Sequence, residues 1–160
     1  MTGGAPVSPF VHRAMERALL EAERAADAGE VPVGAVVILS DTGTLVTTAQ
    51  NRMVRDGNAT AHAELLALRA AAPIVGDRQL TRCTLVVTLE PCAMCAGAIV
   101  LSRIGALVFG AWDDKAGMCG SVGDLVRHPR LNHRPAVQGG ILAEPSRQLL
   151  TAFFAKRRSP

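Results

Sequence analysis

The spacing of apolar positions predicts alternating helices and strands along the chain. Residues 10–28 form the first predicted helix, which Gly29 ends. Its apolar residues recur at the spacing of one helical face: Met15, Leu19, Ala22 and Ala26. Residues 31–39 and 44–50 are rich in β-branched side chains, and the turn sequence at 41–43 separates them. The first 50 residues therefore predict a helix followed by a β-hairpin.

The remainder of the chain continues this alternation. The further predicted elements are a helix at 60–72 closed by Pro73 and Gly76, a strand at 84–89, a helix at 91–101 with Pro91 in its first turn, a strand at 106–111, a short helix at 122–126, a strand at 136–141 and a helix at 146–157. Strands that alternate with helices predict a layered α/β domain. We expect a single domain over residues 1–160, with about 1–9 flexible.

The segment 92–101, with the sequence CAMCAGAIVL, has no charged or strongly polar side chain on any face. An all-apolar helix is normally buried on every side. One side can face the sheet, but a domain of 160 residues has few further elements to cover the other side. This segment therefore predicts a homodimer.

Composition indicates a globular protein, with 49% hydrophobic and 19% charged residues. No apolar run approaches the roughly 18 residues that cross a bilayer, and the first residues lack an apolar signal segment. We therefore expect a cytoplasmic protein that does not bind membranes. Four cysteines in that compartment indicate metal binding or burial rather than disulfides.

The net charge of +3 is small, but basic residues cluster at 127–134 and at the end of the chain, in Lys156, Arg157 and Arg158. Such clusters favour a polyanionic partner, although they are also typical of an ordinary solvated surface.

Three candidate metal ligands stand at the starts of two successive predicted helices: His62, Cys92 and Cys95. Cysteines at positions i and i+3 share one helix face, so a single ion can bridge them. A helix N-terminus lowers the pKa of a thiol, which supplies the thiolate that zinc requires. Two sulfurs and one imidazole predict zinc, with iron as a weaker alternative.

A closed structural zinc site needs a fourth protein ligand. Cys83 precedes the strand at 84–89 and Cys92 follows it, and six residues at about 3.3 Å each place the two cysteines roughly 20 Å apart. This separation excludes Cys83, whereas Cys119 stays open as a fourth ligand. If the fourth position is not filled by protein, zinc there makes water acidic enough to act as a nucleophile at neutral pH.

Glu64, two residues after His62, is the predicted catalytic proton carrier. It would take a proton from water, deliver it to a ring nitrogen of a base and then help the amine leave as ammonia. Residues two apart on a regular helix point about 200° away from each other. We therefore expect His62 in the cap or first turn of its helix.

Together these residues form H-x-E followed by P-C-x-x-C, the signature of zinc nucleobase deaminases. Either part alone is weak, because C-x-x-C also fits a redox pair or half of a zinc ribbon. The combination predicts a zinc-dependent hydrolytic deaminase.

Longer segments between residues 11 and 158 extend the similarity: EVPVGAVV, NATAHAELLALR, VTLEPCAMCAGAIVLSRIGALVFGAWDDKAG and FFAKRR. With them the chain resembles the bacterial tRNA-specific adenosine deaminase family. The resemblance implies a cytidine deaminase-like three-layer α/β/α fold with a mixed central sheet, a homodimer and one zinc ion per subunit. It also implies deamination of the wobble adenosine in a tRNA anticodon loop, where the bases are already unpaired.

The resemblance further implies roles that spacing alone does not assign. Asn51 matches an asparagine that hydrogen-bonds the target nucleotide, and Asp113 matches a loop aspartate beside the substrate backbone. The carbonyl of Pro91 would face the departing ammonia. The C-terminal residues that would touch the anticodon loop are Phe153, Phe154, Lys156, Arg157 and Arg158. Without the resemblance, each residue also has an ordinary structural interpretation. Asn51 would end a strand, Asp113 would lie in a surface turn, Pro91 would start a helix, and a phenylalanine of the last helix would pack in the core.

The chain departs from the family pattern on the predicted substrate-side loops. Trp112 stands where many members carry a basic residue, Asn58-Ala59 replaces a frequent Asp-Pro, and Met118-Cys119 replaces small residues. These departures bear on specificity and not on the reaction.

Two other functions remain open. A sister enzyme that acts on free cytosine, cytidine or guanine would use the same zinc chemistry, although the basic C-terminus favours RNA. A zinc- or RNA-binding subunit without catalysis is the other, and the presence of Glu64 argues against it.

Overall fold

The computed structural model describes residues 8–158, so the segment 1–9 that was predicted to be flexible lies outside it except for Ser8 and Pro9. The elements in chain order are α1 (Val11–Asp27), β1 (Gly34–Leu39), β2 (Leu45–Gln50), α2 (Ala63–Val75), β3 (Cys83–Leu89), α3 (Ala93–Leu101), β4 (Ala106–Ala111), β5 (Ala136–Gln138) and α4 (Ala143–Arg158). Within the described residues, no helix has the length and apolarity that crossing a membrane requires.

The five strands form one sheet in the order β2-β1-β3-β4-β5. β1 pairs antiparallel with both β2 and β3, whereas β3, β4 and β5 are parallel. A crossover must join parallel neighbours, and α3 supplies it between β3 and β4. The sheet is therefore mixed, as the family resemblance implied.

Successive residues of each strand face opposite sides of the sheet, and both sides are covered. On one side β-strand residues pack with α2 and α3: Val37, Leu85, Val87, Leu107 and Phe109 meet Ala67, Leu68, Ala96 and Ile99. On the other side the alternate positions pack with α1: Val36, Ile38, Val86 and Val108 meet Ala14, Met15 and Ala18. α4 contacts α1 and β4. This confirms the three-layer α/β/α fold.

The two central helices differ from their predicted bounds for reasons of capping. α2 continues through Pro73 and ends at Val75, where Gly76 caps it with a φ of 79°. Proline this near a helix end removes one hydrogen bond without stopping the last turn. Pro91 lies outside α3, because Cys92 is the N-cap in an extended conformation and the helix begins at Ala93. The prediction that Pro91 occupies the first turn was therefore wrong.

The segment after β4 differs most from the prediction. Residues 122–126 form turns and no helix, and the only pairing is an isolated bridge between Cys119 and Asp124. β5 ends at Gln138 instead of 141, and Gly140 follows with a φ of 89°. α4 begins three residues earlier than predicted, with Pro145 in its first turn, where no backbone N–H is needed.

Candidate active site

The starts of α2 and α3 meet at the edge of the sheet where β3 and β4 end. His62 is the N-cap of α2, with φ −78° and ψ 148°, and Cys92 is the N-cap of α3. Cys95 lies in the first turn of α3 and is fully buried. Because His62 lies outside the regular helix, its ring can point to the same side as Glu64, which is the arrangement that the sequence predicted.

Three side chains form a compact group of candidate metal ligands. The Nδ1 atom of His62 lies 3.7 Å from the sulfur of Cys92 and 3.7 Å from the sulfur of Cys95. All three ligand atoms lie within 4.8 Å of one another. A tetrahedral zinc ion with Zn–S near 2.3 Å and Zn–N near 2.0 Å holds sulfur and nitrogen roughly 3.6 Å apart. The donor set and its spacing therefore fit zinc.

The three side chains lie close enough to shift one another's pKa values. Hydrogen bonds with Cys95 and His62 lower the pKa of Cys92 to about 3. The pKa of Cys95 is raised, first by its hydrogen bond with Cys92 and then by burial. The hydrogen bond with Cys92 also raises the pKa of His62. The lowered pKa of Cys92 favours its thiolate, the form in which cysteine binds metals.

Glu64 lies in the first turn of α2 and is only 4% exposed. Burial is the main cause that raises the pKa of its carboxyl group, and the nearby imidazole of His62 acts in the opposite direction. A buried carboxyl group with a raised pKa can both accept and return a proton near neutral pH. Its position supports the predicted role as proton carrier.

Among the described residues, the candidate metal group contains no fourth histidine, cysteine or acidic side chain. Cys119, which the sequence left open, is buried and its sulfur lies 3.9 Å from the carbonyl oxygen of Pro91. Burial raises the pKa of its thiol to about 12. Cys83 begins β3 at the opposite end of the strand, as the spacing indicated. The geometry therefore favours an open fourth position.

Three residues that were predicted to contact substrate lie around this group. Each already accepts a hydrogen bond from a backbone N–H of the protein. The side-chain oxygen of Asn51 accepts the N–H of Ala63 at 3.0 Å, which caps α2 beside His62. The carbonyl of Pro91 accepts the N–H of Met118 at 2.9 Å. The Oδ1 atom of Asp113 accepts the N–H of Lys115 at 3.0 Å. These residues shape the site, and their contacts with substrate remain predictions.

The aromatic and basic residues of the C-terminal helix differ in their exposure and in the partners that they contact. Phe154 is 44% exposed and packs edge-on against Phe153, with 5.4 Å between ring centroids. The guanidinium of Arg157 stacks 4.5 Å from the centroid of Phe153 and donates to the carbonyl of Gly29 at 2.7 Å. Arg158 donates to the carbonyl of Phe154. Arg157 therefore also joins α4 to the end of α1.

A groove of about 420 Å³ runs along this part of α4 and reaches the loop after β4. Its lining is mainly basic: Lys115, Arg147, Leu150, Thr151, Phe154, Arg157 and Arg158. The other basic cluster, at 127–134, extends between the two edges of the sheet. Arg127 donates to the carbonyl of Cys119 at 3.3 Å, on the side of the candidate site. The ring of His133 instead bonds the carbonyl of Ile104, just before β4 begins.

Glu90 is a residue of the site that the sequence reasoning missed. Its carboxylate is 2% exposed and accepts the backbone N–H groups of Asp113, Cys119 and Ser121 at 2.9, 3.0 and 3.0 Å, as well as the hydroxyl of Ser121. Gly117 packs so closely that a Cβ there would lie 2.3 Å from the carboxyl carbon of Glu90. Glu90 therefore holds the β4–β5 loop (residues 112–135) against the start of α3.

Glu30 has the same role on the other side of the site. Its fully buried carboxylate accepts the N–H of Val54 at 3.0 Å and the N–H of Arg55 at 2.8 Å. It thereby holds the β2–α2 loop (residues 51–62), which leads directly to His62. The sequence signal for Glu30 is an acidic residue that stands alone beside apolar segments. A carboxylate that is buried with such segments needs hydrogen-bond partners, so its position indicates a structural role.

Comparison with known proteins agrees with this geometry. A family model described as the cytidine and deoxycytidylate deaminase zinc-binding region matches residues 9–111. The chain therefore belongs to this class of zinc-binding deaminases.

Individual relatives define the class more narrowly. The chain is 42% identical to the tRNA-specific adenosine deaminase of Bacillus subtilis over 144 residues, which cover 90% of this chain and 88% of that protein. A solved structure from work on A-to-I editing by tRNA:A34 deaminases at the wobble position of transfer RNA superposes with a TM-score of 0.81 at 39% identity, and covers 86% of this chain and 99% of that one. Within the class, the chain belongs to the family of tRNA-specific adenosine deaminases.

A third relative is much longer than this chain. The tRNA(Ile)-lysidine synthase of Deinococcus radiodurans is 48% identical over 155 residues, but the match covers 97% of this chain and only 26% of that protein. The chain thus spans about a quarter of that relative.

Proposed function

We propose that this protein deaminates adenosine to inosine at the wobble position of a tRNA anticodon loop, with one zinc ion per chain. The observation that carries the proposal is the meeting of His62, Cys92 and Cys95 beside buried Glu64. The family and the relatives described above support the adenosine and tRNA parts of the proposal.

In the overall reaction, water adds to C6 of the adenine ring and ammonia leaves, so that adenosine and water give inosine and ammonia. His62, Cys92 and Cys95 would hold the zinc, which when bound supplies a Lewis acid that makes water nucleophilic at neutral pH. A carboxylate oxygen of Glu64 takes a proton from water and delivers it to N1 of adenine. The carboxylate then takes the proton of the hydroxyl group added at C6 and passes it to the amine. As the C6–N bond breaks, ammonia leaves and C6 becomes the carbonyl of inosine.

The surroundings of this group support a role in placing the base. Asn51 holds the start of α2 through the N–H of Ala63, and its amide retains one N–H for the target nucleotide. The carbonyl of Pro91, just before the N-cap of α3, would accept a hydrogen bond from the leaving ammonia. Asp113, the second residue of the β4–β5 loop, would contact the ribose-phosphate backbone of the RNA.

The basic groove along α4 supports an RNA substrate. Arg158, Arg157 and Lys115 would face phosphates, and exposed Phe154 could stack on an unpaired base. A free base or nucleoside carries no such row of phosphates, so this groove favours RNA over the sister enzymes. A tRNA substrate also agrees with the cytoplasmic location that the sequence predicts.

The direct test measures inosine formation on an anticodon stem-loop with adenosine at the wobble position, with free adenosine, cytidine and guanine as parallel substrates. We expect inosine from the wild-type chain on the stem-loop and none from Glu64→Ala. The matched control is Glu16→Ala on the exposed face of α1, which should retain activity.

The outcomes separate the open alternatives. Ammonia release from a free base or nucleoside, with an inert stem-loop, would make the protein a sister enzyme with the same zinc chemistry. Zinc and RNA binding without any product would favour a binding subunit. Full activity of Glu64→Ala with normal zinc content would refute the assigned proton carrier.

We also infer a homodimer formed through α3. The helix buries Cys95, Ala96, Ile99 and Val100 against the core, yet Leu101 at its end is 84% exposed. Next to it lies a groove of about 270 Å³ between α2 and α3, where Leu65, Leu68 and Ala98 form an apolar surface and Arg69 and Arg78 complete the lining. Apolar surface of this kind is typical of a protein interface, which supports the sequence prediction.

Leu101→Glu tests this interface, because a charge there would be buried against the partner. We expect the wild-type chain to sediment as a dimer and Leu101→Glu as a monomer. Leu45→Glu is the control, since Leu45 is 49% exposed at the start of β2, away from α3. A wild-type chain that stays monomeric at micromolar concentration would refute the inference.

A further inference from the structure

Trp112 is a large aromatic residue left half in water beside the candidate site. It directly follows β4 and is 51% exposed. It is the only tryptophan of the chain, which contains four phenylalanines and no tyrosine. Burying such a ring would stabilise the fold by about 25 cal/mol for every Å² removed from water. Its exposure therefore needs an explanation.

The ring is held in a defined slot. Its edge meets Phe109 at 90°, with 4.8 Å between the ring centroids. On one side a Cβ at Gly139 would lie 2.7 Å from Cζ2 of the indole, and on another a Cβ at Gly120 would lie 3.2 Å from Cζ3. Any side chain at Gly139 would displace the ring. Trp112 is thus fixed in place and not merely solvated.

The slot lies at the substrate side of the sheet. The next residue, Asp113, donates its backbone N–H to Glu90, and Glu90 directly precedes Pro91 and Cys92. The carbonyl of Ala111, just before Trp112, accepts the N–H of Glu90. Two hydrogen bonds, one to the carboxylate of Glu90 and one from its backbone N–H, thus join the segment that carries Trp112 to the segment that carries a candidate metal ligand.

We propose that Trp112 is a stacking platform for an unpaired base next to the target adenosine in the RNA loop. A rigid ring that is already partly desolvated loses little entropy when a base stacks on it. Loop bases are unstacked and present their faces to aromatic side chains. The proposal rests on the proposed RNA substrate, but it concerns a contact that the deamination chemistry does not require.

The first test uses the emission of Trp112 itself, because no other tryptophan contributes. In the Glu64→Ala chain, which binds without turnover, we expect titration with the anticodon stem-loop to quench this emission saturably. Unchanged emission at saturating RNA would overturn the proposal. Emission that depends on chain concentration without RNA would also overturn it, because the ring would then lie in a contact between protein chains.

The second test pairs protein and RNA changes. Loss of one stacked base should weaken stem-loop binding by roughly 5- to 150-fold, from about 1–3 kcal/mol per stack. We expect this loss for Trp112→Ala and also for one abasic nucleotide next to the target, with no further loss when the two are combined. Trp112→Phe should retain most of the affinity, and Leu45→Ala should retain all of it.

Two further outcomes distinguish failure of the stacking proposal from failure of the proposed function. If losses from Trp112→Ala and from every abasic nucleotide simply add, the ring does not touch a base and the proposal fails, while deamination by the wild-type chain still supports the proposed function. If the wild-type chain does not deaminate the stem-loop, the proposed function fails before any Trp112 variant is compared. Zinc content and circular dichroism of Trp112→Phe check that the slot remains folded.

Discussion

Removal of the Glu90 carboxylate should destabilise the fold more than any single change on the surface. Glu90→Ala leaves three backbone N–H donors and one hydroxyl without their buried acceptor. An unpaired buried donor costs about 1–3 kcal/mol, so three backbone donors set a range of about 3–9 kcal/mol. The β4–β5 loop can open to water and recover part of this loss. We therefore expect a decrease of about 3–5 kcal/mol in the free energy of unfolding.

Glu90→Gln provides the finer comparison, because it preserves shape and removes charge. Each carboxylate oxygen now accepts two hydrogen bonds, whereas a glutamine offers one accepting oxygen and an NH₂ group that would face donors. We expect a loss of about 2–4 kcal/mol. Urea denaturation followed by circular dichroism measures both variants. Glu144→Gln, at an exposed ion pair on α4, is the control and should change stability by less than about 0.5 kcal/mol.

The stability of wild type and Glu90→Gln should also respond differently to acid. Burial alone would raise the pKa of Glu90, but the hydrogen bonds from Asp113, Ser121 and Cys119 outweigh it and lower the pKa below the ordinary value of 4.5. A lowered pKa means that the carboxylate stabilises the fold above pH 4.5 and that this contribution is lost as pH falls through the folded pKa. The difference between the two chains should shrink below that pH. Equal stability of wild type and Glu90→Gln at pH 7 would refute the reasoning.

Three further predictions concern other parts of the fold. Glu30→Gln should lower the free energy of unfolding by about 2–4 kcal/mol in urea denaturation. Arg55→Ala keeps its backbone N–H and should lower it by less than about 1 kcal/mol. Equal losses would contradict the conclusion that Glu30 acts through backbone N–H groups. Met15→Ala, on the buried face of α1, should lower the free energy of unfolding by about 2–5 kcal/mol, and Leu20→Ala on its exposed face by much less. Equal losses for the two variants would contradict this packing of α1. Removal of zinc by a chelator should abolish deamination and lower the melting temperature, and added zinc should restore both; activity in a chain shown by mass spectrometry to be metal-free would contradict the site.

The elements that depend on local pattern were predicted well. β4 has the predicted bounds, because six consecutive apolar or small residues follow Gly105. α1 matches within one residue at each end, since one apolar stripe and Gly29 define it. The candidate metal group was predictable for a similar reason. Each of its residues stands at a helix start, where sequence spacing fixes the relative position of nearby side chains.

The parts that the sequence could not predict depend on distant backbone groups. Glu90 accepts hydrogen bonds from residues 23 to 31 positions later in the chain, and no side-chain pattern marks a backbone N–H as its partner. The contact between Arg157 and the carbonyl of Gly29 spans 128 positions. The short helix predicted at 122–126 fails for the same reason. Leu125 and Val126 pack on the core from turns that Glu90 holds in place, whereas Val122 is exposed.

The two buried carboxylates have a consequence for how this protein can diversify. Because Glu30 and Glu90 bind backbone N–H groups, the paths of the β2–α2 and β4–β5 loops do not depend on which side chains most loop positions carry. The departures from the family pattern at Asn58-Ala59, Trp112 and Met118-Cys119 all fall in these two loops. A scaffold of this kind can exchange the residues that meet its RNA, one at a time, while the reacting groups keep their places.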